Sequence, residues 1–434
     1  MSKNIVKVVF VFIAMFVVSV GYSFDQHEGH DHSHDHATEH NHDHATTSDH
    51  GTEEGHGEHG EGGHEYDPTS TAIHHISDGN VWTILEAVSI PLPTILYAKD
   101  RGWDVFMSSK FHAGHHEDGH SSYNGYVLHH GSVKRVIDPS FPQKGSVDVG
   151  HFIHKTELRA NGKEGDVYYV EYNGKEYKLD SKTTLDGGIL GGGITSFWDF
   201  SITKNVVAML IVVLLLFFMF RSAARKYKEN PMKAPSGLQG MLETLVVFVR
   251  DEVAVPFIGE KKYMKYFPFL LSIFFFILGL NLFGQIPFLG SVNATGNLSI
   301  TMVLAILVFL LVNLSGNKHY WEHTFWMPGV PVAVKPILAA VEGMGLFIKP
   351  LTLMLRLAGN ISAGHIAILS FIGLIFIFSN SGESFGGGVI GSAMSIPLTL
   401  FMMAIELVVA FVQAFVFTIL TASYIGAATE EAHH

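Results

Sequence analysis

Hydrophobic positions divide this chain into two halves. Beyond residue 196 they come in long runs: 202–220, broken only by Thr203, Lys204 and Asn205 at its start, then 267–289, 298–314, 331–378 and 394–425. The first three are close to the roughly 20 residues that cross a bilayer as an α-helix, and they predict ordinary spans. The last two are too long. As continuous helices, 331–378 would measure about 72 Å and 394–425 about 48 Å, against a hydrocarbon core of about 30 Å. Ordinary tilt does not absorb that excess. These runs therefore predict two long, strongly tilted helices joined by a loop over 379–392, with Pro336 and Pro350 as candidate kinks in the first. Residues 238–253 have helical apolar spacing between basic clusters and predict a helix lying along the membrane surface.

The first half follows other patterns. Residues 1–23 combine Lys3 and Lys7 with a short apolar stretch over 8–20 and the small residues Gly21 and Ser23, as a secretory signal does. An uncleaved anchor is the alternative, because the cleavage point is not a clean small-x-small match. Residues 24–80 hold few apolar groups and predict disorder. Residues 81–185 predict a small β-rich domain. Within it, residues 166–172 and 175–179 are rich in Val and Tyr and flank Asn173-Gly174, which suits a two-residue hairpin turn. Residues 81–97, with Pro91 and Pro93, predict an edge strand or a short helix. The glycines at 187, 188 and 191–193 predict a linker over 186–196, leaving 197–434 as the membrane domain.

Composition sharpens this division. The 434 residues are 47% hydrophobic yet carry a net charge of -12, because acidic residues crowd the first half. The chain has no cysteine, which excludes disulfides and thiolate metal sites. Histidine is concentrated before residue 155, including His30, His32, His34, His36, His40, His42 and His44. Imidazoles beside carboxylates bind zinc, copper or nickel weakly and adventitiously when no fixed geometry holds them. His115, His116 and His120, in a Gly-rich loop, are further candidate metal ligands. No other cofactor and no nucleic-acid partner is expected.

Charge also orients the spans. Arg221, Arg225, Lys226, Lys228 and Lys233 follow the first run, and Lys261, Lys262 and Lys265 precede the second, whereas 287–299 carry no charge. By the positive-inside rule the first span exits to the cytoplasm. The N-terminal half is then extracytoplasmic, as the signal segment requires, and the C-terminus is cytoplasmic. The expected class is an all-α polytopic membrane protein of five transmembrane helices, preceded by a small β-rich extracytoplasmic domain.

The polar residues inside the long runs carry the candidate chemistry. Arg356 sits deep in an apolar run, where a charge costs about 2.5–3.5 kcal/mol on insertion scales. Arginine does not shed its proton to escape that cost, so a carboxylate on another chain or helix is its expected partner. Positions seven apart nearly align on a helix, which puts Glu342, Lys349 and Arg356 on one stripe with Asn360 a turn beyond. Glu406, Gln413 and Tyr424 share a stripe on the last helix. His365, nine residues after Arg356, points to the opposite side, where it could face Glu406. Six polar residues on two over-long helices suggest a lined water path.

Lys349-Pro350, Leu355-Arg356-Leu357, Gly359-Asn360 and Ala363-Gly364, followed by Gln413-Ala414-Phe415, resemble subunit a of the rotary F-type ATP synthase. Asn281-Leu282 with Pro287, and Glu430-Glu431 in the tail, match as well. The resemblance covers about residues 197–434 and is silent on the His-rich segment and the β domain. It implies a subunit that is no enzyme by itself, in a bacterial inner membrane with its N-terminal half periplasmic. Its implied partners are a ring of c subunits, peripheral-stalk b subunits, other synthase subunits and lipid. Arg356 then pairs transiently with the c-ring carboxylate. Asn360, His365, Glu406 and Gln413 resemble the outer proton path, with His and Glu occurring in the family in either order, and Glu342 resembles the cytoplasmic exit. The alternative is a zinc or other metal-ion transporter with a His-rich external segment. That alternative needs several His, Asp or Glu ligands converging within the membrane.

Overall fold

A computed structural model describes residues 77–84, 88–113, 118–158, 164–183, 195–229, 232, 234–286, 292–327, 329–380 and 384–430. The signal stretch, the His-rich run over 30–44, His115, His116 and the linker glycines lie outside these residues.

The external domain is antiparallel β-structure. Its largest sheet has seven strands in the order β8-β5-β6-β7-β11-β10-β9. These are β5 (Ser121–Tyr123), β6 (Tyr126–His129), β7 (Ser132–Val136), β8 (Ser146–Asp148), β9 (Phe152–Leu158), β10 (Glu164–Tyr172) and β11 (Lys175–Asp180). Successive residues of β6 serve two cores: Tyr126 and Leu128 join Leu96, Phe111 and Phe197 on one side, while Val127 joins Val136, Phe141 and Val170 on the other. The Asn173-Gly174 turn forms as expected, with φ of 51° and 72° and Tyr172 paired to Lys175. Two more turns share these angles, Asn124-Gly125 (53° and 74°) and His130-Gly131 (47° and 72°). All three have the positive φ at both positions that a type I′ hairpin requires.

Two expectations for this half change. Residues 81–97 form neither a single edge strand nor a helix. They give β1 (Val81–Ile84), β2 (Val88–Pro91) and most of β3 (Pro93–Ala98), which pairs with β4 (Gly102–Met107). The prolines stand at the end of β2 and the start of β3, where a strand tolerates a missing N–H. The boundary at 197 also moves, because β12 (Phe197–Asp199) returns to pair with β3. The external domain thus extends through Asp199, and β12 is followed within a few residues by the first membrane helix.

That junction is tightly held. Asp78 accepts from the Thr203 hydroxyl (2.8 Å) and the Asn205 amide (3.2 Å), and the Lys204 amide donates to the Gly79 carbonyl (2.9 Å). A carboxylate here suits the positive end of the helix that follows. Burial pushes the Asp78 carboxyl up from its usual range, against the lowering influence of Thr203, Lys204 and Asn205. Trp82 and Leu92 belong to the same core as Val206 and Met209.

Among the described residues, five helices are long and apolar enough to cross a membrane: α1 (Lys204–Glu229), α4 (Tyr263–Gly284), α5 (Leu298–Ser315), α7 (Lys335–Phe378) and α8 (Phe385–Thr429). The second begins four residues before the expected run and ends five before it, because Tyr263 and Lys265 continue its helical turns. Between α1 and α4 lie α2 (Leu238–Phe248), a π-helical segment (Val249–Ala254) and α3 (Val255–Ile258), and α6 (Lys318–Phe325) follows α5. Pro336 sits in the first turn of α7, where it causes no kink. Pro350 lies inside that helix.

The predicted loop over 379–392 is also corrected. α8 begins at Phe385, so Gly386–Gly388 and Gly391 are helical. A Cβ on Gly387 would lie 1.8 Å from the Phe378 carbonyl oxygen, and one on Gly391 would meet the Phe378 Cβ and Ile375 Cα at 3.0 and 3.1 Å. These glycines let two membrane helices meet backbone to backbone, a use of small residues that outweighs their weak helix propensity.

Candidate functional site

α7 and α8 pack against each other antiparallel along most of their length. Phe378 meets Gly387 and Gly391 near the turn, the Ser395 hydroxyl donates to the Phe371 carbonyl, Gly364 meets Glu406, and Lys349 lies over the Tyr424 ring at 5.5 Å. Each helix buries one stripe. On α7 this comprises Leu353, Leu357 and Ile361, four residues apart, so Arg356 and Asn360 fall on the exposed side beside Leu355 and Gly359. The exposed side continues through Phe347, Ile348 and Leu351. Among the described residues no hydrogen bond or ion pair engages the Arg356 guanidinium. An apolar face carrying one unpaired arginine is unsuited to lipid alone and suits a partner bearing an acid.

Polar groups collect on either side of Arg356 along the helix axis. About 13 Å towards the C-terminus of α7, by the helical rise, stands His365. Its Nε2 is 3.9 Å from Oε1 of Glu406, whose side chain is 4% exposed. Gln285 donates to the Glu406 main-chain oxygen (2.7 Å), Asn281 to the Ala410 oxygen (3.1 Å), and Ser362 to the Gly296 oxygen (3.2 Å). Gly364 leaves room for the Glu406 carboxylate: a Cβ there would lie 2.6 Å from Oε1 of Glu406, which would have to shift. Buried oxygens of Glu406 (Oε1) and Asn281 (Oδ1) have no hydrogen-bond partner among the described residues. Such groups call for water or a transferable proton.

About 10 Å on the other side of Arg356 lies Lys349. With Asn313, Tyr320 and Tyr424 it lines a cavity of about 20 Å³, large enough for one water. Pro350 borders the same cavity and cannot donate to the Leu346 carbonyl, which leaves another acceptor there. Glu342 is half-buried on the preceding turns and acts electrostatically on Tyr320.

The structure thus brings His365 to Glu406, sets Arg356 and Asn360 on one open face, and buries Gln413 on the inner side of α8. It separates Glu342 and Lys349 from His365 and Glu406 along α7, with Arg356 between. Sequence reasoning did not assign a part to Gln285, Asn313 or Tyr320. Asn281 and Gln285, four apart at the end of an apolar span, were the available signal. Among the described residues, the one group of three potential metal ligands lies in the external domain, whereas a metal transporter needs such a group within the membrane half.

Five apolar helices among the described residues, the last two over-long and bringing His365 to Glu406, define a polytopic membrane protein. Residues 206–426 match the family described as ATP synthase A chain, and residues 71–151 match a Domain of unknown function (DUF8433). The chain is 36% identical over 290 residues to the protein named ATP synthase subunit a of Chlorobium phaeobacteroides (strain BS1), covering 65% of this chain and 81% of that one. It is 37% identical over 258 residues to the ATP synthase subunit a of Myxococcus xanthus (strain DK1622), 58% of this chain and 81% of the relative. A protein of Chlorobium luteolum named ATP synthase subunit a 2 is 40% identical over 250 residues, 54% of this chain and 70% of the relative. The chain belongs to the ATP synthase A chain family.

Proposed function

We propose that this chain is the proton-channel stator subunit of an F-type ATP synthase, supplying two half-channels and the arginine that couples proton flow to rotation of a c-subunit ring. The observation that carries this reading is Arg356, open and unpaired on α7, flanked along the helix by two separate polar groups.

A c-subunit carboxylate crossing lipid must be neutral, because an ion there is poorly solvated. Facing Arg356 it is favoured in its ionised form, since the opposite charge stabilises it. Its proton leaves through one half-channel, the carboxylate passes the arginine, and a new proton arrives through the other. His365, Glu406, Asn360 and Gln413 form the outer path, in which His365 and Glu406 hand on protons and the two amides hold water. Glu342, Lys349 and the cavity at Pro350 form the inner one. The fixed charge of Arg356 repels a proton that would run directly between them. The chain performs no catalysis of its own.

Two measurements test the assembly and its orientation. Purified through a tag on this chain, a ring of small hairpin subunits copurifies with it, together with b subunits of the peripheral stalk. Recovery of the intact chain without such a ring would refute the reading.

The second measurement concerns sidedness. The end of α8 is held by Lys262 and Asn317, which donate to the Thr429 carbonyl at 2.7 and 3.0 Å. The chain's last described residues therefore share a side with the basic residues 261–265, opposite the β domain at the start of α1. The proposed orientation, in a bacterial inner membrane, has the β domain in the periplasm and the tail in the cytoplasm, and the positive-inside rule supports it. Protease added to intact spheroplasts removes residues 24–185 and spares the tail. Loss of the tail from intact spheroplasts contradicts that orientation.

A further inference from the structure

The external domain contains a side-chain cluster that proton transfer does not use. Asp118 stands just before β5, while His129 ends β6 and His130 opens the turn to β7. Oδ1 of Asp118 lies 3.1 Å from Nδ1 of His129 and 3.9 Å from Nδ1 of His130. Donors about 2.0–2.2 Å from a tetrahedral zinc ion stand about 3.3 Å from one another, between these two separations. The two imidazole centroids are 4.1 Å apart.

We propose that Asp118, His129 and His130 form a binding site for a divalent transition-metal ion, zinc by preference, on the external domain.

Three features distinguish the cluster from an ordinary hydrogen-bonded histidine. The first is the turn. Among the described residues, three two-residue turns have closely similar positive φ at both positions, and the other two begin with Asn124 and Asn173, whereas this one begins with His130 at φ 47°. Asparagine and histidine are both among the residues that accept that conformation, so the turn holds His130 without breaking the hairpin. The left-handed backbone turns the His130 ring back alongside His129, where an ordinary strand would send successive side chains to opposite faces.

The second is the fixing of the donors. The His129 ring is buried and stacks on Phe152 with centroids 4.4 Å apart, so its orientation is set by packing. Asp118 also accepts from the His130 amide at 2.6 Å, which locks the carboxylate against the turn.

The third is access. The His130 side chain is 43% exposed and that of Asp118 28%, against 6% for His129. A site open on one side, with three nitrogen and oxygen ligands, leaves a fourth position to water and exchanges its ion, unlike a closed structural site. The two imidazoles suit borderline ions such as zinc, copper and nickel over magnesium or calcium, which a carboxylate alone would favour.

The test uses the full chain purified in detergent with residues 24–70 deleted, because the many histidines of that stretch would mask a single site. Zinc is titrated against a fluorescent chelator, and cobalt serves as a spectroscopic probe of tetrahedral geometry. One zinc ion per chain is expected, with visible cobalt bands of tetrahedral type. His130→Asn installs the residue that the other two turns use, so the domain keeps its fold, which its metal-free melting temperature checks. This variant and Asp118→Asn should each bind zinc at least about 100-fold more weakly, since loss of an outer-shell partner alone costs about 10–100-fold. His151→Asn, at an exposed histidine of the same domain, should bind as the parent does. Failure of the deleted chain to bind zinc, or equal affinity in His130→Asn and parent, overturns the proposal.

Discussion

Membranes carrying Arg356→Lys are expected neither to synthesise ATP under a proton gradient nor to pump protons on ATP addition, with both rates at least about 100-fold below those of the parent. The scale is that of losing one preorganised charge-stabilising group. Lysine retains a positive charge at neutral pH, so charge count alone predicts a mild defect. Two physical differences predict a severe one. A lysine desolvated against the c-ring can lose its proton, whereas arginine holds its own in any protein environment. The guanidinium also offers a planar fork of donors, which follows a carboxylate moving past it better than a compact ammonium does. Arg356 is exposed on α7 and makes no hydrogen bond or ion pair among the described residues, so the variant should fold and assemble as the parent does. Coupled synthesis at the parental rate in an assembled Arg356→Lys complex would remove Arg356 from the mechanism.

The second large effect is expected at the pair of His365 and Glu406, 3.9 Å apart. Each removes the other's isolation: a protonated His365 stabilises the Glu406 carboxylate, and the carboxylate stabilises the imidazolium. His365→Ala or Glu406→Ala leaves one partner alone in a largely apolar setting, where its neutral form is favoured and it no longer hands on protons. Proton pumping in vesicles should fall about 100-fold in each single variant, within the range general acid–base groups contribute. The exchanged variant, His365→Glu with Glu406→His, keeps one acid and one base in the same space and should recover part of the loss. If the exchanged protein assembles yet pumps no better than the worse single variant, the pair does not relay protons. The assignment of Arg356 would survive that result.

Hydrophobic run length determined much of the membrane half without a structure. A bilayer accepts backbone only when its polar groups are satisfied within the segment, so five apolar runs had to be five helices. The isolation of Arg356 was legible for the same reason, because a charge in such a run stands out against its cost. So was the hairpin at Asn173-Gly174, where two adjacent residues must both take positive φ.

Tertiary structure decided what depends on contacts between distant segments. Helical spacing turned His365 away from Arg356, but its meeting with Glu406 depends on how α7 slides along α8. That register is set where Gly387 and Gly391 pack on Phe378 and Ile375, in a stretch whose composition reads as a loop. Local propensity cannot reveal a helix whose glycines exist for a close approach to another helix. The return of Phe197–Asp199 to β3, and the convergence of Asp118 with His129 and His130, likewise join residues that no local pattern connects. The sequence by itself determined which segments enter the membrane and where charge could not be avoided, because desolvation acts residue by residue. Only the folded chain decided which polar groups share a pocket, because pairing is a property of packed surfaces and not of any one segment.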